Sequence, residues 1–312
     1  MKALALASFD VPAAVIEVPE PVAGPGEVLV RVQAASVNAF DVGVAGGFMK
    51  EYMPYEFPAV IGNDVAGTIE SAGEGVEGFS AGDRVFGMMG SKGAIHDGSF
   101  ADLANPQAGS IAAAPGALSD ADAGSLAVAG STAMSAVEAV DPSEGARVLI
   151  VGATGGVGTF AIQLASLRGA RVIASTRAGD EEFVMGLGAT ETVDYSGDVA
   201  AEIRDRYPDG IDAVIDAVNR DHDAFASLAG IVREGGRATS VVGGAGEGSE
   251  IGGVSVSNAG GNPAHLMALA DLVVQGKLRV AIRRTYALAD AAKALQDFAN
   301  EHTLGKLLIT MT

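Results

Sequence analysis

The sequence predicts an α/β fold: a doubly wound parallel sheet preceded by a β-rich region. Three observations predict it. From Arg147 onward, short apolar runs alternate with helix-patterned stretches, the order that gives a parallel sheet with helices on both faces. Before Leu118, apolar runs are instead separated by glycine-rich turns. Across 312 residues, 48% are hydrophobic and 19% charged, a globular composition with ample apolar surface for a core.

Taken in order, Val28–Val32 is an apolar run after the turn Gly24-Pro25-Gly26, and reads as a strand. Val65–Ile69 and Arg84–Phe86 continue this style, separated by Gly73-Glu74-Gly75 and Gly82-Asp83. The character changes near Leu118. Ser119 precedes Asp120 and Asp122, and a cap with acids in the first turn suits a helix start. Strands follow at Val148–Val151, Val172–Ala174, Glu191–Tyr195, Ala213–Asp216 and Ala238–Val242, with a helix at Gly156–Leu167. His265–Gln275 and Asp290–Asn300 read as helices, and Leu307–Thr310 as a terminal strand.

Lys plus Arg number 20 and Asp plus Glu 39, a formal charge of -19. Such a surface repels phosphate backbones and anionic lipid, so nucleic acid and membrane surfaces are not expected partners. The absence of Cys removes disulfides, thiolate nucleophiles and every Cys-based metal site, and fits a cytoplasmic setting. The apolar run near Met1 is shorter than a signal segment, and no stretch approaches about 18 uninterrupted apolar residues. His96, His222, His265 and His302 show no ligand spacing, so no metal is expected.

The informative segment is Val148-Leu149-Ile150-Val151-Gly152-Ala153-Thr154-Gly155-Gly156-Val157-Gly158. An apolar strand runs into a glycine turn and then into a helix, the context in which such a turn binds a dinucleotide. Gly155 lets the backbone approach a pyrophosphate, Gly158 lets the helix pack on the strand, and the helix N-terminus offers N–H donors to the anion. Ala153 stands at the first glycine of the template. The next strand ends at Ser175-Thr176-Arg177, where an NAD site usually carries an acid. Hydroxyls and a cation suit a 2′-phosphate, so NADPH is the expected cofactor. A solvated loop arginine is the other reading, favoured if Asp180 and Glu181 fold back on it.

On these residues the chain resembles the medium-chain dehydrogenase/reductases, and among them the zinc-independent quinone oxidoreductases and enone reductases. The resemblance also rests on Ala34–Asp41, Ile61–Gly67, Gly78–Val85, Gly98–Ala101 and Gly305-Lys306, and covers nearly the whole chain. It implies a GroES-like catalytic domain over 1–118, a Rossmann domain over 119–259, and a segment 260–312 that rejoins the first domain. Where zinc-dependent members carry Cys, His and Glu, this chain has Asn38, Asn63 and Asp64. That implies hydride transfer from NADPH to a small hydrophobic acceptor, a quinone or an α,β-unsaturated carbonyl. An enoyl-thioester reductase and a non-catalytic NADPH-binding sensor are the alternatives.

The resemblance also implies roles for single residues. Asn38 lies near the nicotinamide and offers its amide N–H to the developing oxyanion; a turn residue is the plainer reading. Thr132 matches a position beside the nicotinamide, or is an ordinary helix hydroxyl. Tyr195 matches a contact to the 2′-phosphate, or is a strand-end aromatic. Val242 and Gly243 match the loop lining the carboxamide, and Lys306 matches a cation near the cofactor, or is a surface lysine. Met49 stands where some relatives have a tyrosine at the substrate mouth, so Tyr52 or solvent supplies the proton. Phe48, Met49 and Met53 make the apolar loop expected to meet the acceptor. Relatives pair their Rossmann sheets edge to edge, and Val254–Ser257 is the expected edge of a homodimer.

Overall fold

The computed structural model describes residues 1–90 and 92–311, and divides into two units. Unit 1 comprises Met1–Val128 and Pro263–Thr312, and unit 2 comprises Ala129–Asn262. The first boundary falls inside the helix Asp120–Val140 rather than at 118. The helix starts in unit 1, where Arg84 pairs with Asp120 at 2.5 Å, and runs on without a break into unit 2. It is the one helix among the described residues long and apolar enough to cross a membrane. Most of it is buried inside the protein, as expected of a core helix.

Unit 1 is built on strands that pair antiparallel, except that Ile282–Ala287 runs parallel to Lys306–Thr310. Its larger sheet runs Ile282–Ala287, Lys306–Thr310, Val28–Ser36, Asp64–Ala72, Arg84–Met88, Ile111–Ala113. A smaller sheet orders Ala14–Glu17, Lys2–Leu6 and Ala59–Val60. The apolar run near Met1 is a central strand with Leu4 and Leu6 buried. The strand Val28–Ser36 extends past the predicted Val32 because Ala34, Ala35 and Ser36 are also buried and pair with neighbours. Lys306–Thr310 pairs antiparallel with it, Leu308 opposite Ser36. That pairing carries Lys306 from the end of the chain to the start of the helix Ala39–Ala45.

Unit 2 is the doubly wound sheet. Its order is Glu191–Asp194, Arg171–Thr176, Arg147–Val151, Ile211–Asp216, Val232–Ser240, Val254–Asn258, Glu250–Ile251. All pairs but the last are parallel. The central strands are continuous apolar runs because both faces are covered. The strand at 232–240 starts earlier than expected and ends before Val241, and its polar N-terminal half is exposed. Val254–Asn258 is not a free edge: Glu250–Ile251 pairs with it, and Val256 N–H donates to Ser249 O at 2.9 Å. A glycine pair, Gly252-Gly253, both at positive φ, makes the hairpin that covers it.

Candidate active site

In unit 1, residues distant in sequence assemble a buried polar cluster. Asn38 caps the helix Ala39–Ala45, and Asp41 answers by accepting the Asn38 backbone N–H at 2.7 Å. Asn38 Nδ2 donates to Ser36 O at 3.1 Å and to Asp64 Oδ2 at 2.8 Å. Its Oδ1 accepts from Lys306 Nζ at 2.6 Å. The lysine also donates to Val37 O at 3.0 Å and lies 3.6 Å from Asp64 Oδ2. Ser36 Oγ donates to Asp64 Oδ2 at 2.5 Å, and Asp64 Oδ1 accepts from Val128 N–H at 2.7 Å.

The cluster removes one alternative and corrects one expectation. Lys306 is only 2% exposed, so it is not a surface lysine. Both amide hydrogens of Asn38 are engaged within the protein, so Asn38 has no free N–H for an oxyanion. The ammonium fixes this orientation, because only the amide oxygen can face it. Burial pulls the Lys306 pKa down, against the raising influence of Asp64 and Asp41. Burial pushes Asp41 up to about 7; Asp64 adds to the rise, while the Asn38 N–H and Lys306 oppose it. Its Oδ1 finds no partner, which also disfavours the charged form.

Beside the cluster, unit 1 carries a cleft of about 480 Å³, counting the part open to solvent. Its walls are apolar: Phe40, Val44, Met53, Ile61, Met89 and Ile95. Asn63, Lys92 and Asp97 are its polar members. Lys92 Nζ is held by Glu27 at 2.9 Å and Asp97 at 3.0 Å, so its charge is compensated. Of the loop residues expected at the mouth, Met53 lines this cleft. Phe48 and Tyr52 stand 73% and 80% exposed and outside its lining, and Met49 packs on the core. Gly47, at φ 69°, starts the short helix Phe48–Glu51 and directs Phe48 outward. Tyr55, which had no assigned role, donates its hydroxyl to Val44 O at 3.0 Å.

In unit 2, the glycine turn has the anatomy the sequence predicts. Gly152 sits at φ 79°, Ala153 is fully buried, and Gly155 caps the helix Gly156–Leu167. A Cβ at Gly158 would lie 2.2 Å from Gly152 O, so only glycine allows helix and turn this close. At Gly155 a Cβ would meet nothing nearer than 3.4 Å, so that side of the turn is open. The first N–H groups of the helix, from Gly156 to Gly158, have no intrahelical partner. Open backbone, free donors and a helix dipole fit a pyrophosphate, which Ala153, Thr154 and Gly155–Gly158 would hold.

The strand end beside this turn differs in detail from expectation. Ser175 and Thr176 are both buried, and Ser175 Oγ accepts the Gly152 N–H at 3.0 Å. Ser175 therefore braces the turn and is not a surface donor. Arg177 is half exposed, and Asp180 does fold back, taking the Nε–H at 3.1 Å. The two Nη groups find no partner among the described residues. Tyr195 N–H donates to Thr176 O at 3.0 Å, which places Tyr195 next to Arg177. Thr132 is a buried residue of the helix Asp120–Val140. Val242 and Gly243 form a turn held by Ser240 Oγ, which accepts from Val242 and Gly244 N–H.

Comparison with known proteins agrees with both units. The alcohol dehydrogenase GroES-like domain matches residues 24–162, and the zinc-binding dehydrogenase domain matches 156–293. Together these two matches span residues 24–293, and the chain belongs to the medium-chain dehydrogenase/reductase superfamily, a nicotinamide-dinucleotide-binding dehydrogenase family. It is 33% identical over 212 residues to a chloroplast envelope quinone oxidoreductase homolog of Arabidopsis thaliana, covering 65% of this chain and 63% of that one. Similar matches leave the chain spanning about three fifths of these curated relatives. The quinone oxidoreductase of Coxiella burnetii superposes with a TM-score of 0.86 at 27% identity, covering 100% of this chain and 99% of that one. A structure described as an NAD-dependent alcohol dehydrogenase does so equally, at 0.86 and 27%, covering 100% of both.

The zinc that one family description names does not fit the residues here. A zinc site needs thiolate, imidazole or carboxylate donors with free lone pairs. Asn38 offers an amide, and the Lys306 ammonium occupies its oxygen. Both Asp64 oxygens already accept hydrogen bonds, and the same cation lies 3.6 Å away. Among the described residues no group of three or more His, Asp or Glu side chains is placed to hold a metal ion.

Proposed function

We propose that this protein transfers hydride from NADPH to a neutral quinone or α,β-unsaturated carbonyl without a metal. The observation that carries the reading is the Lys306–Asn38–Asp64 triad at two of the positions where zinc-dependent relatives keep ligands. The metal-assisted route of alcohol dehydrogenation holds the alkoxide on a Lewis acid, and this triad is closed to one. An electron-poor acceptor needs only close approach and a donor at its oxygen. When bound, the nicotinamide supplies the hydride. The protein's own part is to hold the pyrophosphate on the turn Ala153–Gly158, to offer Arg177 to the 2′-phosphate, and to bind the acceptor between Phe40, Met53 and Met89.

The absence of an acid at the end of Arg171–Thr176 supports NADPH over NADH, with Arg177 as the remaining charged group. The compensated charge of Lys92 favours a neutral acceptor over a polyanionic thioester. Chains would pair through the hairpin strand Glu250–Ile251, since it covers the edge of Val254–Asn258; light scattering tests that homodimer. The activity is tested by NADPH oxidation against a quinone, a simple enone and an enoyl thioester, with and without chelator. Turnover of the first two, unaffected by chelator, supports the reading. Binding of NADPH with no turnover of any acceptor rejects it in favour of a sensor.

A further inference from the structure

The acceptor oxygen needs a donor, and Asn38 has none to give. We propose that Asn63 is that donor: its Nδ2 hydrogen-bonds the oxygen of the acceptor in the unit 1 cleft and carries the oxyanion that forms there. The inference rests on the reduction proposed above and adds the residue that reads the acceptor's oxygen.

Three features of the structure argue for it. Asn63 lines the cleft and is its only neutral polar side chain among the described residues; Lys92 and Asp97 neutralise each other. Its orientation is fixed. Met89 N–H donates to Asn63 O at 2.9 Å and also reaches Oδ1 at 3.2 Å, so the amide turns its oxygen to the backbone. Nδ2 has no acceptor among the described residues, whereas the Asn38 amide is saturated. The backbone before it is equally constrained. Gly62 sits at φ 113°, and a Cβ there would lie 2.6 Å from Ser99 Oγ and 2.7 Å from Phe100 N. Glycine at 62 thus lets the chain turn into the cleft directly before Asn63.

The chemistry balances as follows. The hydride's electron pair forms a new C–H bond at the enone β-carbon, the C=C π pair moves to the Cα–C bond, and the carbonyl π pair moves onto oxygen. Oxidised NADP leaves, and solvent later protonates the enolate. For a quinone the same charge develops on a ring oxygen. A fixed N–H donor in an apolar cleft stabilises that charge without reorganising. Asn63 contributes more in the transition state than in the ground state, because the carbonyl oxygen becomes negative only as hydride arrives.

The test uses Asn63→Asp, which keeps an oxygen for Met89 and removes both donors, and Asn63→Leu as its apolar counterpart. With a simple enone, Asn63→Asp should lower kcat about 100- to 1000-fold, change the acceptor KM far less, and leave the melting temperature close to wild type. As pH falls toward about 4, the introduced carboxyl gains a proton to donate. Its activity relative to wild type should then rise, and that of Asn63→Leu should not. A purely structural role would not produce this rise. A kcat within threefold of wild type, or a loss with no acid recovery, overturns the assignment. Turnover is not the only readout. Binding of 4-nitrophenolate, an oxyanion mimic followed by its absorbance, should weaken at least tenfold in Asn63→Asp. Equal binding, or none to wild type, overturns the donor role whether or not any acceptor is reduced.

Discussion

The buried cluster around Lys306 and the glycine turn around Gly155 treat polar groups in opposite ways. The cluster answers nearly all of its polar groups with other protein groups, leaving only one oxygen of Asp41 without a partner. The turn leaves backbone N–H groups open toward one side and backs them with packing no side chain could enter. The first arrangement holds a structure together, and the second waits for an anion. What marks a binding site here is therefore an unanswered donor on a fixed backbone. Polar residues gathered together are not enough. The same contrast separates Asn38 from Asn63.

The comparison breaks most visibly at Lys306. If the ammonium holds the cluster, Lys306→Met leaves Asp64 and the Asn38 oxygen buried without their cation. Removing one partner of a buried pair costs about 3–5 kcal/mol, so urea unfolding should show a loss of that size. A loss below about 1 kcal/mol, the worth of a surface pair, would mean that the cluster is looser than its distances imply.

Asp41 sharpens the same point through pH. Burial raises its pKa from 3.8 to about 7 in the folded protein. A raised pKa gives stability that is full below the unfolded value and is lost as pH rises through the folded one. Wild type should therefore lose stability between about pH 4 and 7 relative to Asp41→Asn, which does not titrate there and can still accept from Asn38 N–H. At about 1.36 kcal/mol per unit of pKa difference, the gap should change by a few kcal/mol. Unfolding both proteins at pH 4.5 and pH 8 measures it, and parallel profiles would place the charge of Asp41 elsewhere.

At the turn the expected effect is smaller but lands on the ligand. Gly158→Ala puts a methyl against Gly152 O and Ala153, an overpacking worth about 1–3 kcal/mol. The helix start must shift, so NADPH affinity should fall at least tenfold by fluorescence titration. Unchanged affinity would mean that the turn does not cradle the pyrophosphate.

These two regions also differ in how far the sequence reveals them. The turn is local: Gly152, Gly155 and Gly158 lie within one strand–helix junction, and their spacing alone states the geometry. The helix Gly156–Leu167 has the bounds its pattern predicts. The cluster joins Ser36, Asn38, Asp41, Asp64 and Lys306, and only the pairing of the last strand with Val28–Ser36 brings them together. No spacing rule encodes that. Resemblance pointed to Asn38 and Lys306 as functional, but their hydrogen-bond partners decide what remains for a ligand. Asn63 was visible only as a departure from a metal ligand, although its place after Gly62 was a signal of close backbone approach. The hairpin at Gly252-Gly253 had no part in the sequence reading, which took Val254–Ser257 as an edge and so missed the strand that covers it.

Cofactor choice is the smallest effect and the finest test of the open side of the comparison. The end of the strand Arg171–Thr176 has lost two of its three expected phosphate donors, because Ser175 and Thr176 are buried. Arg177 remains, with Nε tied to Asp180 and the Nη fork available. An exposed pair such as Arg177–Asp180 is worth little, so a 2′-phosphate can share the guanidinium. A charge-assisted hydrogen bond is worth about 1.5–3 kcal/mol, and exposure brings the net effect here toward the lower bound, about tenfold in affinity. Arg177→Ala should therefore weaken NADPH about tenfold and leave NADH unchanged, because NADH carries no phosphate to lose. Asp180→Asn should move NADPH the other way, since it frees the guanidinium from its competitor. Ser175→Asp should not simply reverse the preference, because it would bury a carboxylate against the Gly152 turn and weaken both nucleotides. Titrating the four proteins with each nucleotide at one salt concentration separates these outcomes. Equal loss of NADH and NADPH in Arg177→Ala would show that the strand end braces the turn and does not read the phosphate.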